Sequence, residues 1–210
     1  MKLLGLAGES GSGKDFTYQW IKDHRVGPTH RLAFAEGVRE EVMDLLGVSS
    51  EALVKPYTLE IRALLQWWGT EYRRAQDVEY WIKSGMERLE TIEFGYSDLA
   101  SNPEWVKLKA EDLLVVVTDV RFANEVNAIE LRDGLSRLVL ATRSVRKGRL
   151  GELPPSHASE EMDFETGGII HNDVNGSTPI FDEVLADWMG IDSGWVVDAS
   201  TGQIVAYEPE

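Results

Sequence analysis

A glycine-rich segment near the first residues of the chain has the spacing of a phosphate-binding loop. The run GESGSGK at residues 8–14 fits G-x-x-x-x-G-K, and it lies between an apolar stretch and a stretch with helical periodicity. Glycines let the backbone N–H groups of such a loop converge on a β-phosphate, while the lysine reaches the β- and γ-phosphate oxygens. The alternative is a turn that only links a strand to a helix. The pattern predicts that a nucleoside triphosphate is held by Gly8, Ser10, Gly11, Ser12, Gly13 and Lys14.

Two carboxylates are candidates for binding the Mg²⁺ that accompanies ATP. Asp15 stands where this pattern usually has a Ser or Thr hydroxyl on the metal, and a carboxylate is also a good Mg²⁺ ligand. Asp119 follows the apolar run LLVVVT at 113–118, and the carboxyl end of such a strand faces the nucleotide crevice of an open α/β sheet. The alternative for Asp15 is a favourable interaction of an acidic first-turn residue with the helix dipole.

Basic side chains could hold the phosphate of an acceptor beside the ATP site. Arg121 follows Asp119 by two residues and shares its side-chain direction if the strand continues, although the two could also form an ion pair at the strand end. The segment 143–159 is basic, contains proline and has no periodicity, which predicts a loop that closes as a lid at about 143–160. Its guanidinium groups, on Arg143, Arg146 and Arg149, would contact the transferred phosphoryl group, with Arg143 as the first candidate, and the alternative is a basic surface loop.

A helical stretch from residue 58 onward has one polar face opposite an apolar stripe. The polar residues, spaced four apart, are Arg62, Gln66 and Thr70. A solvated helix face would have the same pattern. With about 3.6 residues per turn, this face continues to Arg73 rather than Arg74, unless Gly69 breaks the register.

The elements that must position these residues alternate between strands and helices. Strands are predicted at residues 2–7, 31–35, 113–118, 137–141 and 168–171, and helices at 14–24, 38–46, from 58 onward, 78–89, 124–132 and 180–189. In the first helix, Phe16, Trp20 and Ile21 are expected to face the core. Residues 95–103 are predicted as an inserted loop before a short helix around Trp105, and residues 195–207 as a hairpin. The alternation predicts a three-layer α/β fold with a mainly parallel sheet.

Composition limits the classes of protein and partner. A length of 210 residues with 43% hydrophobic content fits one domain, residues 1–210, with a sizeable core. The formal net charge of −15 disfavours DNA or RNA as a partner, although a local cluster of cations can still hold a small nucleotide. The chain has no cysteine, which excludes disulfides and thiolate catalysis. No apolar run approaches the roughly 20 residues of a membrane span, so we expect a cytoplasmic protein.

Five stretches give the sequence a resemblance to the phage deoxynucleoside monophosphate kinases, P-loop enzymes related in fold to cellular nucleotide kinases. The stretches are GESGSGKD at 8–15, LAFAEGVRE at 32–40, IRALLQWWGTEYRRAQDVEYWIK at 61–83, TDVRFANEV at 118–126 and IIHNDVNGS at 169–177. Their order and spacing extend the resemblance over most of residues 1–189. The GKD variant of the loop is a trait of that family, so the resemblance indicates that Asp15 belongs to a working site.

The resemblance implies transfer of the γ-phosphoryl group of ATP, with Mg²⁺, to a deoxynucleoside monophosphate. It implies a helical acceptor-binding region at about 48–110, with Asp119 and Arg121 as the metal and phosphate pair and Arg143 in the lid. Asn172 would lie close to the ATP base. The residues that it places around the acceptor are Arg39, Arg62, Gln66, Thr70 and Arg74, with Trp81 nearby, so that it favours Arg74 where ideal helical geometry favours Arg73.

The glycine-rich loop leaves other functions open. One is a kinase of a modified base in DNA, or of another small acceptor such as dephospho-coenzyme A. Another is a nucleotide-dependent switch or assembly ATPase whose output is a protein contact. The sequence does not decide which base is accepted or whether the chain forms a homodimer.

Overall fold

The computed structural model describes residues 1–53, 57–100, 112–154, 157–173, 179–190, 195–197 and 204–206. The strands of its main sheet are β1 (Lys2–Ala7), β2 (Thr29–Leu32), β3 (Leu114–Val120), β4 (Leu135–Leu140) and β5 (Ile169–His171). All neighbouring pairs are parallel, in the order β2-β3-β1-β4-β5. The three further strands β6 (Phe181–Asp182), β7 (Trp195–Val197) and β8 (Ile204–Ala206) form a second sheet, in which β7 and β8 pair antiparallel as the predicted hairpin requires.

Helices cover both faces of the main sheet. They are α1 (Lys14–His24), α2 (Ala35–Leu46), α3 (Leu59–Gln66), α4 (Tyr80–Ala100), α5 (Ala123–Glu130), α6 (Arg143–Leu150) and α7 (Glu183–Met189). A π-helix (Trp67–Arg74) continues α3, and short 3-10 turns lie at Ser50–Leu53 and Ala158–Glu160. The predicted α/β fold with a mainly parallel sheet is therefore confirmed. No helix in the described part of the chain is long and apolar enough to span a membrane.

The central strands explain why the sheet is buried on both sides. Alternate residues of β3 point to opposite faces. Val115 and Val117 pack with residues of α2, α4 and α5, while Leu114 and Val116 pack with residues of α1 and α7. A continuous apolar run is what a parallel strand covered on both faces requires, so the prediction from LLVVV is confirmed.

The boundaries of several predicted strands, helices and loops were wrong. Strand β2 lies at 29–32 instead of 31–35, and α2 begins at Ala35, three residues before the predicted helix. The loop predicted at 95–103 is helical up to Ala100, because a glycine such as Gly95 can occupy an exposed helix position at a cost of about 1 kcal/mol. The helix predicted around Trp105 lies outside the described residues.

Two further predictions, one about a side chain and one about a segment, were wrong. Phe16 of α1 is exposed, because the buried stripe of that helix follows Lys14, Thr17 and Ile21 instead. The segment predicted to be an irregular lid begins with α6. The buried residue of α6 is Arg146, which donates to the carbonyl of Ser10, so no apolar periodicity marks this helix in the sequence.

We call α3, the π-helix and α4 the helical arm (residues 59–100). It packs on α2 and on the edge of the sheet at β2, through Trp81 and Leu89 in the core. The arm and the glycine-rich loop are the two sides of the site described next.

Candidate active site

A cleft of about 1000 Å³ opens at the carboxyl ends of β1 and β3, between the glycine-rich loop and the helical arm. This is the edge at which open α/β sheets bind ligands. Most of the predicted site residues line it: Ser10, Gly11, Gly13, Lys14, Asp15, Arg39, Arg62, Gln66, Thr70, Arg74, Trp81, Asp119 and Arg121. Among the predicted residues, all of which the structure describes, Gly8, Ser12, Arg143 and Asn172 lie outside this lining.

The glycine-rich loop has the backbone conformation that its glycines permit. Gly8 and Gly13 have φ angles of +143° and +96°, which side chains rarely allow. Asn172, at the end of β5, packs behind the loop and donates from Nδ2 to the carbonyl of Ser12 at 2.9 Å. A Cβ atom at position 13 would lie 2.1 Å from that Nδ2. The buried Asn172 therefore supports the loop, and its predicted proximity to the ATP base stays a prediction.

Lys14 lies under the loop, where it donates from Nζ to the carbonyls of Gly8 at 2.6 Å and Glu9 at 3.1 Å. Burial lowers the pKa of Lys14 well below its usual value, and the charge of Arg121 lowers it further. Burial removes the favourable interaction of these two cations with water, and their charges repel each other. Binding of an anion between them is therefore favourable. Lys14 lines the cleft, and its contact with a phosphate stays a prediction.

Each of the two predicted metal carboxylates has a partner within the protein. Asp119 accepts hydrogen bonds from the backbone N–H groups of Phe34 at 2.9 Å and Ala35 at 2.7 Å, one on each oxygen, at the start of α2. Asp15 accepts one from Arg31 at 3.2 Å. Because each carboxylate oxygen has two lone pairs, both groups retain capacity for a cation or its water. The early start of α2 follows from the Asp119 contacts, since they satisfy N–H groups at that helix end.

Arg62 and Arg121 meet at a carboxylate that the sequence analysis did not single out. Arg62 donates from Nη2 to Ser10 Oγ at 2.8 Å and to Glu160 Oε1 at 3.0 Å. Arg121 donates from Nη1 to Glu160 Oε2 at 3.0 Å and to the carbonyl of Gly8 at 3.1 Å. Burial alone would raise the pKa of Glu160, but the charge of Arg121 and the N–H of Ser10 outweigh it and the pKa is lowered. The carboxylate is therefore ionised at neutral pH.

The π-helix decides between the two neighbouring arginines. Arg74 lies in the cleft, with its guanidinium 3.7 Å from the centre of the Phe122 ring and Nη2 donating to Asn124 Oδ1 at 3.0 Å. Arg73 instead donates to Glu41 at 2.7 Å and is not among the residues that line the cleft. Two turns of an α-helix take about 7 residues, which would bring Arg73 onto the face of Gln66. The i→i+5 bonding of a π-helix lengthens each turn by about one residue and so moves this face on toward Arg74. The expectation from ideal geometry was therefore wrong, and the residue favoured by the resemblance is the one in the cleft.

The wall of the cleft beyond these arginines is partly polar and partly aromatic. Trp81 is buried and donates from Nε1 to the carbonyl of Gly69 at 2.8 Å, so its ring is fixed on the arm. Gln66 and Thr70 line the same region, and Arg39 forms an ion pair with Glu36 at 3.7 Å. This wall could take a flat, partly polar group such as a nucleobase.

Glu125 is a second buried acid that sequence reasoning missed. It is 3% exposed and accepts from the backbone N–H groups of Arg121 at 2.7 Å and Phe122 at 3.2 Å. Burial raises the pKa of Glu125 to about 7, and the charge of Asp119 acts in the same direction. Its hydrogen bonds fix the backbone at the end of β3, and through it the start of the Arg121 side chain. Nothing in the run TDVRFANEV shows that Glu125 is buried.

Helix α6 brings two arginines to the back of the glycine-rich loop. Arg146 donates to the carbonyl of Ser10 at 2.9 Å, and Arg149 donates to the carbonyls of Gly11 and Ser12, both at 3.0 Å. Arg143, the predicted lid residue, is exposed on the first turn of α6. The structure thus places Arg146 and Arg149, rather than Arg143, against the loop.

Comparison with known proteins gives one similarity in sequence. The deoxynucleoside-5'-monophosphate kinase of Escherichia phage T5 is 36% identical over 97 residues, which are 44% of this chain and 38% of that protein. The match thus spans well under half of the curated relative. No protein-family model matches the chain.

Two solved structures align with most of the chain at low identity. The alignment with TT1252 from Thermus thermophilus covers 83% of this chain and 90% of the TT1252 chain, with 20% identity and a TM-score of 0.43. An unliganded sugar kinase from Janibacter sp. HTCC2649 covers 82% and 85%, with 14% identity and a TM-score of 0.34. The resemblance expected from the sequence motifs is confirmed by the phage protein: over part of its length, this chain is similar to a phage deoxynucleoside monophosphate kinase.

Proposed function

We propose that the protein transfers the γ-phosphoryl group of ATP to the phosphate of a deoxynucleoside monophosphate, giving a deoxynucleoside diphosphate and ADP. The observation that carries the proposal is the continuity of one cleft, in which the glycine-rich loop is followed by two arginines and then by a polar and aromatic wall. A site for ATP alone needs only the first of these parts. The similarity to the phage T5 kinase supports a deoxynucleotide as the acceptor.

The donor side of the cleft suits a triphosphate. Backbone N–H groups of the loop and the Lys14 ammonium would bind the β- and γ-phosphates, and the N-terminus of α1 adds its partial positive charge. Asp15 and Asp119 form a donor set that fits Mg²⁺, since this ion is usually held by one or two carboxylates together with substrate phosphates. When bound there, the ion would neutralise charge on the phosphate oxygens.

The acceptor side begins where the donor side ends. Arg62 donates to Ser10 Oγ and Arg121 to the carbonyl of Gly8, so both lie against the loop, and a phosphate held by them would be adjacent to the γ-phosphate. Arg74 and Arg39 lie further along the same cleft, with Trp81 in its wall. One monophosphate can therefore contact cations with its phosphate and the wall with its base.

The chemistry that these residues support is in-line displacement at phosphorus. An oxygen of the acceptor phosphate forms a bond to the γ-phosphorus while the bond to the β-phosphate oxygen breaks, and ADP takes the electron pair. An ionised phosphate oxygen needs no base to remove a proton, so the proposed transfer requires no general base. The cations and loop N–H groups stabilise charge as it spreads over the transferred group.

The test is ADP release from MgATP in the presence of each common deoxynucleoside and ribonucleoside monophosphate in turn, with the diphosphate product identified by mass. Strong stimulation by one or more deoxynucleotides is the expected result. Stimulation only by ribonucleotides, or by no monophosphate, would refute the proposal and direct the search to a modified or larger acceptor, or to a nucleotide-dependent switch.

A variant localises the acceptor phosphate. Arg62→Ala should raise the acceptor KM by about 10- to 100-fold, because hydrogen bonds to charged groups contribute about 1.5–3 kcal/mol. Arg132→Ala is the matched control, since Arg132 pairs with Glu90 on the exposed surface, outside the cleft lining. An unchanged acceptor KM in Arg62→Ala would remove Arg62 from the site of the acceptor phosphate.

A further inference from the structure

The Glu160 carboxylate accepts four hydrogen bonds from groups that belong to three separate parts of the site. It lies 2.8 Å from the backbone N of Ser10, 3.3 Å from Ser10 Oγ, and 3.0 Å from both Arg62 Nη2 and Arg121 Nη1. Its side chain is only 12% exposed. The loop, the helical arm and the end of β3 thus converge on one anion.

The chemistry of these donors is that of a phosphoryl site. Guanidinium groups and loop N–H groups bind carboxylate and phosphate oxygens in the same way. A transferring phosphoryl group has three oxygens where a carboxylate has two, so it can accept from a further donor beyond the four that Glu160 binds. Within the described part of the chain, the buried Nε of Arg62 has no hydrogen-bond partner.

We propose that the Glu160 carboxylate is an internal substitute for the transferring phosphoryl group, and that phosphate binding displaces it from Ser10, Arg62 and Arg121. The proposal rests on the proposed function, since it assumes that phosphates enter this cleft. One N–H cannot donate fully to two anions, and two anions at one position repel each other. Glu160 is thus a positioning residue: it holds the arginines in place before substrate binds and lowers the affinity for phosphate by competing for them.

The turn that carries Glu160 connects the displacement to the helical arm. His157 precedes the 3-10 turn, and its Nε2 lies 2.9 Å from Glu71 on the π-helix. Ser159 also takes part, because its carbonyl accepts from Arg121 at 3.3 Å. When Glu160 leaves Ser10 and the arginines, the turn keeps the contact of His157 with Glu71 on the arm and that of the Ser159 carbonyl with Arg121. The turn can then remain over the cleft while the phosphoryl group occupies the position of the carboxylate.

The test is the affinity for inorganic tripolyphosphate and for MgATP, measured by titration calorimetry without any acceptor. Glu160→Gln removes the charge and keeps the shape, and it should bind both ligands about tenfold more tightly, the equivalent of about one charge-assisted hydrogen bond. Glu161→Gln is the control, because it removes the same charge from the next, exposed residue and should change affinity by less than about twofold. Unchanged or weaker binding by Glu160→Gln would overturn the proposal, because a purely structural role cannot tighten binding.

A second variant keeps the proposal testable if Glu160→Gln does not fold. Glu160→Asp keeps the charge but shortens the side chain by one methylene, so it should compete less well and bind tripolyphosphate with an affinity between those of wild type and Glu160→Gln. An affinity for Glu160→Asp below that of wild type would also overturn the proposal. All proteins should first be compared by denaturant unfolding.

The result of this binding test can be distinguished from the result of the test of the proposed function. Tighter binding by Glu160→Gln together with no phosphorylation of any deoxynucleotide would support the substitute role and refute the acceptor. Phosphorylation of a deoxynucleotide with no gain in affinity would do the reverse. Failure of wild type and variant alike to bind tripolyphosphate and MgATP would refute both.

Discussion

Alanine at position 13 should damage the glycine-rich loop much more than its small size suggests. The new Cβ would lie 2.1 Å from Asn172 Nδ2 and 3.2 Å from Arg149 Nη1, and the backbone φ of +96° is unfavourable for any side chain. Backbone strain of this kind costs about 1–3 kcal/mol. Moving Asn172 away leaves buried polar groups without partners at a further cost of about 1–3 kcal/mol. We therefore expect Gly13→Ala to lower the free energy of unfolding by about 2–6 kcal/mol and to abolish measurable MgATP binding.

The same substitution at position 148 is the matched control. Gly148 lies in α6, and a Cβ there would meet no atom within 4 Å. Alanine in an exposed helix is favoured over glycine by about 0.5–1 kcal/mol. Gly148→Ala should therefore raise the free energy of unfolding by that amount and leave MgATP affinity unchanged.

The assay is guanidinium unfolding of both variants, followed by calorimetric titration with MgATP. The double variant Gly13→Ala with Asn172→Ala separates the clash from the backbone strain, because removing the Asn172 amide leaves only the φ penalty at position 13. A positive coupling of about 1–3 kcal/mol is expected between the two substitutions. If Gly13→Ala unfolds within about 0.5 kcal/mol of wild type and binds MgATP normally, the packing of Asn172 behind the loop would not hold.

Three other predictions concern charge in the cleft. Lys14→Ala should reduce phosphoryl transfer by about 10²–10³-fold or more without loss of the folded state, as measured by ADP release and circular dichroism; turnover equal to wild type would remove the assignment. Arg74→Ala should lower acceptor kcat/KM by about 10- to 100-fold, whereas Arg73→Ala should change it by less than about twofold, because only Arg74 lines the cleft. Glu125 has a folded pKa of about 7 against an ordinary 4.5, so its stabilising effect is complete below pH 4.5 and is lost as pH rises through 7. Wild type should therefore lose about 3 kcal/mol relative to Glu125→Gln between pH 4.5 and 7.5 in denaturant titrations, and parallel pH profiles would contradict the raised pKa.

The local parts of the fold could be predicted from the sequence because their signals are local. The order of strand, glycine-rich loop and helix is encoded within residues 2–24, and each boundary there was correct. The apolar run that became β3 required cover on both faces, and the fold provides it. The C-cap glycine of α2, Gly47, adopts the left-handed conformation expected where a helix ends.

The parts that could not be predicted depend on contacts between distant residues. The buried residue of helix α6 is an arginine, Arg146, so no apolar periodicity reveals the helix. The π-helix was foreseen only as a possible break at Gly69, yet it decides that Arg74 rather than Arg73 reaches the cleft. Glu160 contacts Ser10 across 150 residues of sequence, and the sequence gives no reason to choose it over Glu161.

An acidic chain can contain an anion site because the arginines of its cleft are paired with carboxylates inside the protein. Arg62, Arg121 and Arg74 each face a buried or half-buried acid, so the cleft has cations that are already paired within the protein. A phosphate that enters exchanges with such an internal carboxylate. The net binding free energy is then the difference between the interaction of the phosphate with these donors and that of the carboxylate with the same donors. It depends weakly on the other acidic residues, because charges are screened beyond about 8–10 Å at physiological salt. A formal charge of −15 therefore argues against a long polyanion, which must contact the outer surface, and argues little against a nucleotide held inside the cleft.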